Sequence, residues 1–302
     1  MTPATPLQKA PDSLSFGRTV FLKREDEHEL GAFKWRGAVP ALELYRARGA
    51  PAVVTASTGN HGAATAWAAS RIGLEAVVFA PKGASSAKLE LIERCGAEIH
   101  LSGRDFDEAK EAGAAFAAGR GLPFFEDGAE PAQYEGYGAI AVEILEQCAE
   151  RPAALVVPVG NGALIGGIGE TVRRRAPGIS VVGVAAKEAP VMALSFEAGR
   201  SVACGRGATF ADGLAVRVAI PHAVDVMRRV VDRMLLVSER EMARAISAYA
   251  GCGLRAEGAA AAALAALPRI DARGPVVLVV TGRNIEEDTY QRALGDPESF
   301  PD

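Results

Sequence analysis

The chain has 302 residues, of which 49% are hydrophobic and 23% charged, enough to bury a large core as one big domain or two modest ones. Its formal net charge of -4 gives no electrostatic reason to expect nucleic acid or an anionic membrane as partner. Cys95, Cys148, Cys204 and Cys252 lie far apart without a CxxC pair, and His28, His61, His100 and His222 lack ligand spacing, so neither a disulfide frame nor a metal site is expected.

In chain order, Met1 to Asp12 holds three prolines and no apolar signal region. No apolar stretch has the length of a membrane span, so a cytoplasmic location is expected. Next comes Gly31-Ala32-Phe33-Lys34-Trp35-Arg36-Gly37-Ala38, which sets an amine between two aromatic residues. A lysine withdrawn from water attacks carbonyls and forms Schiff bases, whereas one in a solvated first helical turn does not. The octapeptide alone fits either.

Short apolar, β-rich runs predict strands at Ala52 to Thr55, Ala76 to Ala80, Leu155 to Val159, Val181 to Ala185 and Val276 to Val280. Between them, helices are predicted at Gly62 to Ile72, Ala87 to Cys95, Asp105 to Ala118, Gly138 to Gln147, Leu164 to Arg175, Glu239 to Ala250 and Glu257 to Leu267. This alternation predicts an α/β fold with a largely parallel sheet. Pro123 and Pro131 flank an irregular stretch, Ala189 to Arg217 reads as a loop-rich insertion, and the polar tail Gly295 to Asp302 as frayed. A small domain at 41–133, inserted into a larger one built from 1–40 and 134–302, fits ordinary domain sizes.

Three loops follow predicted strands directly: Ser57-Thr58-Gly59-Asn60-His61, Gly160-Asn161-Gly162-Ala163-Leu164 and Thr281-Gly282-Arg283-Asn284. In parallel sheets the carboxyl ends of strands share one edge, where ligands bind. The Gly160 loop enters a helix, whose free N–H groups and dipole favour an anion such as phosphate, although such turns also serve packing alone. It matches neither the GxGxxG dinucleotide pattern nor a P-loop. Ser57 to Asn60 supplies more hydroxyl, amide and N–H groups than capping requires and suits a carboxylate or a phenolic oxygen. Thr281 either faces a ring nitrogen or merely ends its strand.

These pieces together resemble the fold type II family of pyridoxal phosphate enzymes (tryptophan synthase β-like), and within it the serine/threonine dehydratases. The resemblance runs nearly end to end: Thr5-Pro6-Leu7, Leu22 to Asp26, Phe33 to Ala38, Ser57 to His61, Lys88 with Gly96-Ala97-Glu98, Glu135-Gly136-Tyr137-Gly138, Pro158 to Leu164, Ala211-Asp212-Gly213, Glu257-Gly258-Ala259 and Thr281 to Asn284. It implies a larger cofactor-binding domain and a smaller substrate-side domain. It makes Lys34 the residue that carries pyridoxal 5'-phosphate covalently and moves the substrate's α-proton. Phe33 packs on the pyridine ring, Gly160, Asn161, Gly162, Ala163 and Leu164 bind the phosphate, Asn60 meets the phenolic oxygen, and Thr281 faces the ring nitrogen. Ser57, Thr58, Gly59 and His61 hold the substrate carboxylate. A neutral hydroxyl at the ring nitrogen supplies no fixed charge there, which favours elimination.

Departures from the family pattern qualify this. Asn161 and Ala163 interrupt the usual four-glycine phosphate loop, and Ala32 replaces a serine before Phe33-Lys34. Thr58 stands where the family's racemases place a second base, so racemisation is disfavoured. Ala185-Ala186 stands where some relatives place a cation-binding carboxylate, so no metal requirement is expected. Trp35 and Asp105 to Ala109 leave the substrate open between a dehydratase and a threonine synthase, and no appended regulatory domain is expected. The resemblance implies a homodimeric ammonia-lyase for a small β-hydroxy amino acid such as serine or threonine. The alternatives are a β-replacement enzyme, an amino-acid racemase, or a silent module that binds a phosphate-bearing ligand.

Overall fold

The computed structural model describes residues 4–205 and 207–302, the side chains of residues 87 and 88 excepted. The side chain of Lys88, a residue that carries part of the resemblance, and the first three residues of the proline-rich start therefore lie outside the described set. The strands are β1 (Leu7–Lys9), β2 (Val20–Arg24), β3 (Ala52–Ala56), β4 (Glu75–Ala80), β5 (Glu98–Leu101), β6 (Ala154–Pro158), β7 (Ser180–Ala186), β8 (Arg233–Val237) and β9 (Val276–Val280). The helices are α1 (Asp12–Ser15), α2 (Trp35–Ala47), α3 (Asn60–Ile72), α4 (Ser86–Arg94), α5 (Phe106–Arg120), α6 (Pro131–Gln147), α7 (Ala163–Arg175), α8 (Val191–Ala198), α9 (Pro221–Val230), α10 (Glu239–Gly251), α11 (Gly258–Ala266) and α12 (Glu287–Gly295). The chain divides into two compact units, Met1–Phe33 with Tyr137–Asp302, and Lys34–Gly136.

The first unit is built on a six-stranded sheet in the order β1-β2-β9-β6-β7-β8. Every pairing is parallel except the antiparallel edge strand β1. Strands β6 and β9 are buried at every position, which is why they read as continuous apolar runs rather than alternating ones. Helix α11 is nearly all alanine and buried at every position but Ala265, and small side chains let its backbone lie close to the sheet. Strand β2 escaped the apolar criterion because it carries two buried charges, Lys23 and Arg24. Lys23 Nζ donates to Thr5 O at 2.6 Å and to Glu143 Oε2 at 2.5 Å. Arg24 makes a two-pronged pair with Asp26 at 2.8 and 2.6 Å. Paired this way, the charges are tolerated inside the sheet.

Among its described residues the stretch from Ala189 to Arg217 is mostly loop, with helix α8 and a 3-10 turn at Asp212–Leu214 set into it. The expectation of a frayed tail is corrected. Phe300 is buried, its ring centroid 4.9 Å from that of Phe210. Arg244 grips Glu298 with two bonds of 2.6 Å, and Arg240 N donates to Pro301 O at 2.8 Å. One large aromatic ring outweighs the polar composition around it.

The second unit carries the parallel sheet β3-β4-β5. Residues 123–125 run beside the free edge of β3: Val54 N donates to Pro123 O at 3.0 Å and Phe125 N to Val54 O at 2.7 Å. The irregular stretch after Gly119 is thus partly a strand extension, and Pro131 opens helix α6, a favoured place for proline. Gly136 is required where it stands, since a Cβ there would lie 1.9 Å from the Arg36 carbonyl oxygen.

Among the described residues no helix is long and apolar enough to cross a membrane.

Candidate active site

In the first unit, the chain leaves β6 through Val159, whose N–H donates to Val184 O at 2.7 Å. It turns at Gly162, which has φ +91°, and enters α7 at Ala163. That positive φ is what requires glycine here. Asn161 Oδ1 accepts from Ala163 N at 3.1 Å, so the asparagine that departs from the family pattern caps one amide of its own loop. Among the described residues, the amides of Gly160, Asn161 and Gly162 have no protein acceptor, and they stand at the positive end of a 13-residue helix. A Cβ on Gly160 would lie 2.2 Å from Gly213 O, and one on Gly213 would lie 3.0 Å from Ala259 Cβ. The Gly160, Asp212-Gly213 and Glu257-Gly258 motifs are therefore stacked on one another.

The segment before Lys34 is held along the loop after β9. Phe33 N donates to Thr281 O at 3.1 Å, Arg283 N to Gly31 O at 2.9 Å, and Asn284 Nδ2 to Leu30 O at 2.8 Å. Gly31 has φ +67°, and a Cβ there would meet Asn284 Oδ1 at 2.6 Å. Phe33 stacks on Tyr137 with centroids 5.1 Å apart. Thr281 is 2% exposed, yet its hydroxyl has no hydrogen-bond partner among the described residues. A buried hydroxyl without a partner is costly, so it marks a place prepared for something else.

In the second unit, Lys34 caps α2, its carbonyl accepting from Gly37 and Ala38. Its side chain is 15% exposed, and Nζ contacts Asp127 Oδ2 at 2.5 Å. On either side of it Phe33 packs on Tyr137 and Trp35 on Trp67, 6.2 Å between centroids, and the Lys34 amine meets the Asp127 carboxylate. Consecutive residues entering a helix point in different directions. Asp127 Oδ1 accepts from Gln133 Nε2 at 3.2 Å and lies 3.6 Å from His61 Nδ1. Burial opposes ionisation of Asp127, but the Lys34 charge, His61, and hydrogen bonds from Lys34 and Gln133 outweigh it and hold the carboxyl well below its ordinary range. Burial lowers the affinity of His61 for a proton and the Lys34 charge adds to this, against the opposing pull of Asp127.

The loop after β3 splits into two faces. Thr58, Gly59 and Asn60 are half-buried, and a Cβ on Gly59 would meet nothing within 4 Å. Ser57 and His61 turn inward. Ser57 Oγ accepts from Gly59 N at 3.1 Å, and His61 Nε2 lies 3.0 Å from Thr55 Oγ1 and 3.3 Å from Phe125 O. The His61 ring is therefore engaged by the protein, whatever its backbone does for a ligand. Sequence reasoning passed over Asp127 and Gln133; the available signal was the Glu126-Asp127-Gly128 turn after the apolar run Phe124-Phe125.

Residues 2–282 match the model of the pyridoxal-phosphate dependent enzyme family. The chain belongs to that family. Among its members, an L-threonine ammonia-lyase of Geobacter sulfurreducens is 34% identical over 96% of this chain and 77% of its own length. One of Thermotoga maritima is 34% identical over 92% of this chain and 70% of its own length. The solved structure of the processed form of threonine deaminase isoform 2 from Solanum lycopersicum superposes with a TM-score of 0.90 at 28% identity, covering 97% of this chain and 88% of that one. Maize serine racemase superposes with a TM-score of 0.89 at 26% identity, covering 97% and 92%.

The residues present fit the cofactor of this pyridoxal-phosphate dependent family. A buried, partnerless hydroxyl at Thr281 matches a ring nitrogen, and three open amides at the head of α7 match a phosphate.

Proposed function

We propose that this chain is a pyridoxal 5'-phosphate-dependent ammonia-lyase acting on a small β-hydroxy amino acid such as threonine or serine, releasing a 2-oxo acid and ammonia. The observation that carries the reading is the 34% identity to L-threonine ammonia-lyase along 96% of this chain. When bound, the cofactor supplies a conjugated system that accepts the electron pair left on the substrate's α-carbon. Lys34 is the residue that holds it covalently and that takes the α-proton. Phe33 packs on its ring, the amides of Gly160 to Leu164 with the α7 dipole bind its phosphate, Asn60 meets its phenolic oxygen, and Thr281 its ring nitrogen. Thr58 and Gly59, with the first amides of α3 including that of His61, bind the substrate carboxylate, while Ser57 shapes their turn. A cytoplasmic homodimer is the assembly and location this reading favours.

The test is a spectrum of the purified protein followed by a panel of threonine, serine and O-phosphohomoserine, monitored for 2-oxo acid. A visible cofactor band with 2-oxo acid from threonine or serine is expected. Colourless protein that stays so when pyridoxal 5'-phosphate is added, or turnover of O-phosphohomoserine alone, refutes the reading.

A further inference from the structure

The second unit holds a carboxylate that none of the roles above uses. Asp127 is anchored from several sides. Its chain segment is pinned to β3 through Phe125 N and Val54 O, and Gly128 N donates to Gln133 Oε1 at 2.8 Å. Tyr134 Oη donates to Gly128 O at 2.9 Å, and Gln133 Nε2 reaches Asp127 Oδ1. The carboxylate so placed faces two nitrogens, Lys34 Nζ at 2.5 Å and His61 Nδ1 at 3.6 Å.

The hydrogen bonds around His61 decide which of the two is its cation. Thr55 Oγ1 donates its proton to Phe125 O at 2.7 Å, so only its lone pairs are left for His61 Nε2 at 3.0 Å. Phe125 O, 3.3 Å from the same nitrogen, is also an acceptor. Nε2 therefore carries the ring proton, a tautomer assigned from the network. Nδ1 then presents a lone pair towards Asp127, and the ring is a neutral wall behind the carboxylate. The cation Asp127 binds is Lys34.

We propose that Asp127 is a positioning residue of the active site, whose carboxylate binds the ammonium form of Lys34 generated when that amine takes a proton from the substrate, with Gln133 holding the carboxylate in place and the neutral His61 ring behind it. This deepens, and rests on, the reading of Lys34 given above. In the elimination the α C–H bond breaks and its proton forms a third N–H bond on the Lys34 amine. The electron pair becomes the Cα–Cβ double bond as the C–O bond breaks. The departing hydroxide takes the proton back from Lys34 and leaves as water, so atoms and charge balance. A carboxylate beside Nζ stabilises the charged stage of this cycle and fixes the direction of the amine.

The test uses the full chain loaded with pyridoxal 5'-phosphate in four forms: wild type, D127N, D127E and K34A, each checked for folding by circular dichroism. The pH midpoint of the visible absorbance and the pH profile of kcat are measured. Among the described contacts, Asp127 meets Lys34 with His61 behind it, and the neighbouring Glu126 is paired to Lys110. Removing the negative charge in D127N is expected to lower the absorbance midpoint by about one pH unit or more, to displace the kcat profile, and to reduce kcat more than it raises KM. D127E is expected to restore most of each. K34A is expected to lack the band. Equal midpoints and profiles in D127N and wild type, with the band lost in K34A, overturn the proposal alone; a band retained in K34A overturns the reading of Lys34 and the proposal with it.

Discussion

Thr281→Val is the most discriminating single change in the first unit. Threonine and valine have nearly the same shape, and the Thr281 carbonyl that holds Phe33 is untouched by the exchange. The side chain is 2% exposed and its hydroxyl has no partner among the described residues, so the cofactor-free protein carries the desolvation penalty of an unsatisfied group. Removing such a group stabilises by about 1–3 kcal/mol. If the hydroxyl meets the cofactor's ring nitrogen, the same change costs the loaded protein a hydrogen bond worth about 0.5–1.5 kcal/mol, or about two- to tenfold in affinity. Stability and affinity should therefore move in opposite directions. Urea unfolding of the cofactor-free variant and absorbance titration with pyridoxal 5'-phosphate measure the two separately. A destabilised cofactor-free variant would show that the hydroxyl has a partner within the protein, and a stabilised one with unchanged affinity would remove Thr281 from the cofactor site.

Other changes have equally definite outcomes. Gly160→Ala sets a Cβ 2.2 Å from Gly213 O, so backbone must shift; a loss of about 1–3 kcal/mol in stability and weaker cofactor binding are expected, and wild-type values for both would show that the loop is loosely packed. His61 stays neutral when folded because its proton affinity is lowered from the ordinary value of 6.5, so the unfolded chain binds more protons as pH falls through that value. Its contribution to stability is therefore intact above this pH and declines below it. The difference in urea midpoint between wild type and His61→Asn should accordingly shrink from about pH 8 to about pH 5, and an unchanged difference would mean that His61 is charged in the fold. Phe300→Ala removes a buried ring from the tail and should cost about 3–5 kcal/mol; a cost below about 1 kcal/mol would return the tail to a frayed state.

Three of the six strands of the larger sheet, β6, β7 and β9, were legible because they are buried on both faces and show as apolar runs, whereas β8, with burial broken by exposed Arg233, was not. Strand β2 was hidden by Lys23 and Arg24; Asp26 lies two residues from Arg24, but Glu143, the partner of Lys23, is 120 residues away and no local window reveals it. The tail was misjudged for a related reason: composition counted its polar residues and missed the one ring that enters the core. At the site, Lys34 stood out through its own segment, but that segment gave no sign of the carboxylate its amine meets. Asp127 lies 93 residues away from Lys34 and reaches it through the pairing of residues 123–125 with β3, a long-range event that leaves almost no local trace.

The two groups of site residues also differ in what a mutation there can mean. In the first unit, the Gly160, Gly213 and Gly258 motifs touch one another so closely that a methyl group at any of them meets neighbouring atoms within 3.0 Å, and Gly282 is in the same position against the Glu257 carboxylate at 2.9 Å. These glycines would be needed to close the packing even if no phosphate ever bound, so a variant there that loses cofactor is informative only beside the stability of its cofactor-free form. The polar cluster of Lys34, Asp127 and His61 is of another kind. Its ion pair is largely withdrawn from water, at 15% exposure for Lys34 and 26% for Asp127, and Lys34 holds the Asp127 carboxyl well below its ordinary range, so a variant that removes either partner loses stability as well and its activity is read beside that loss.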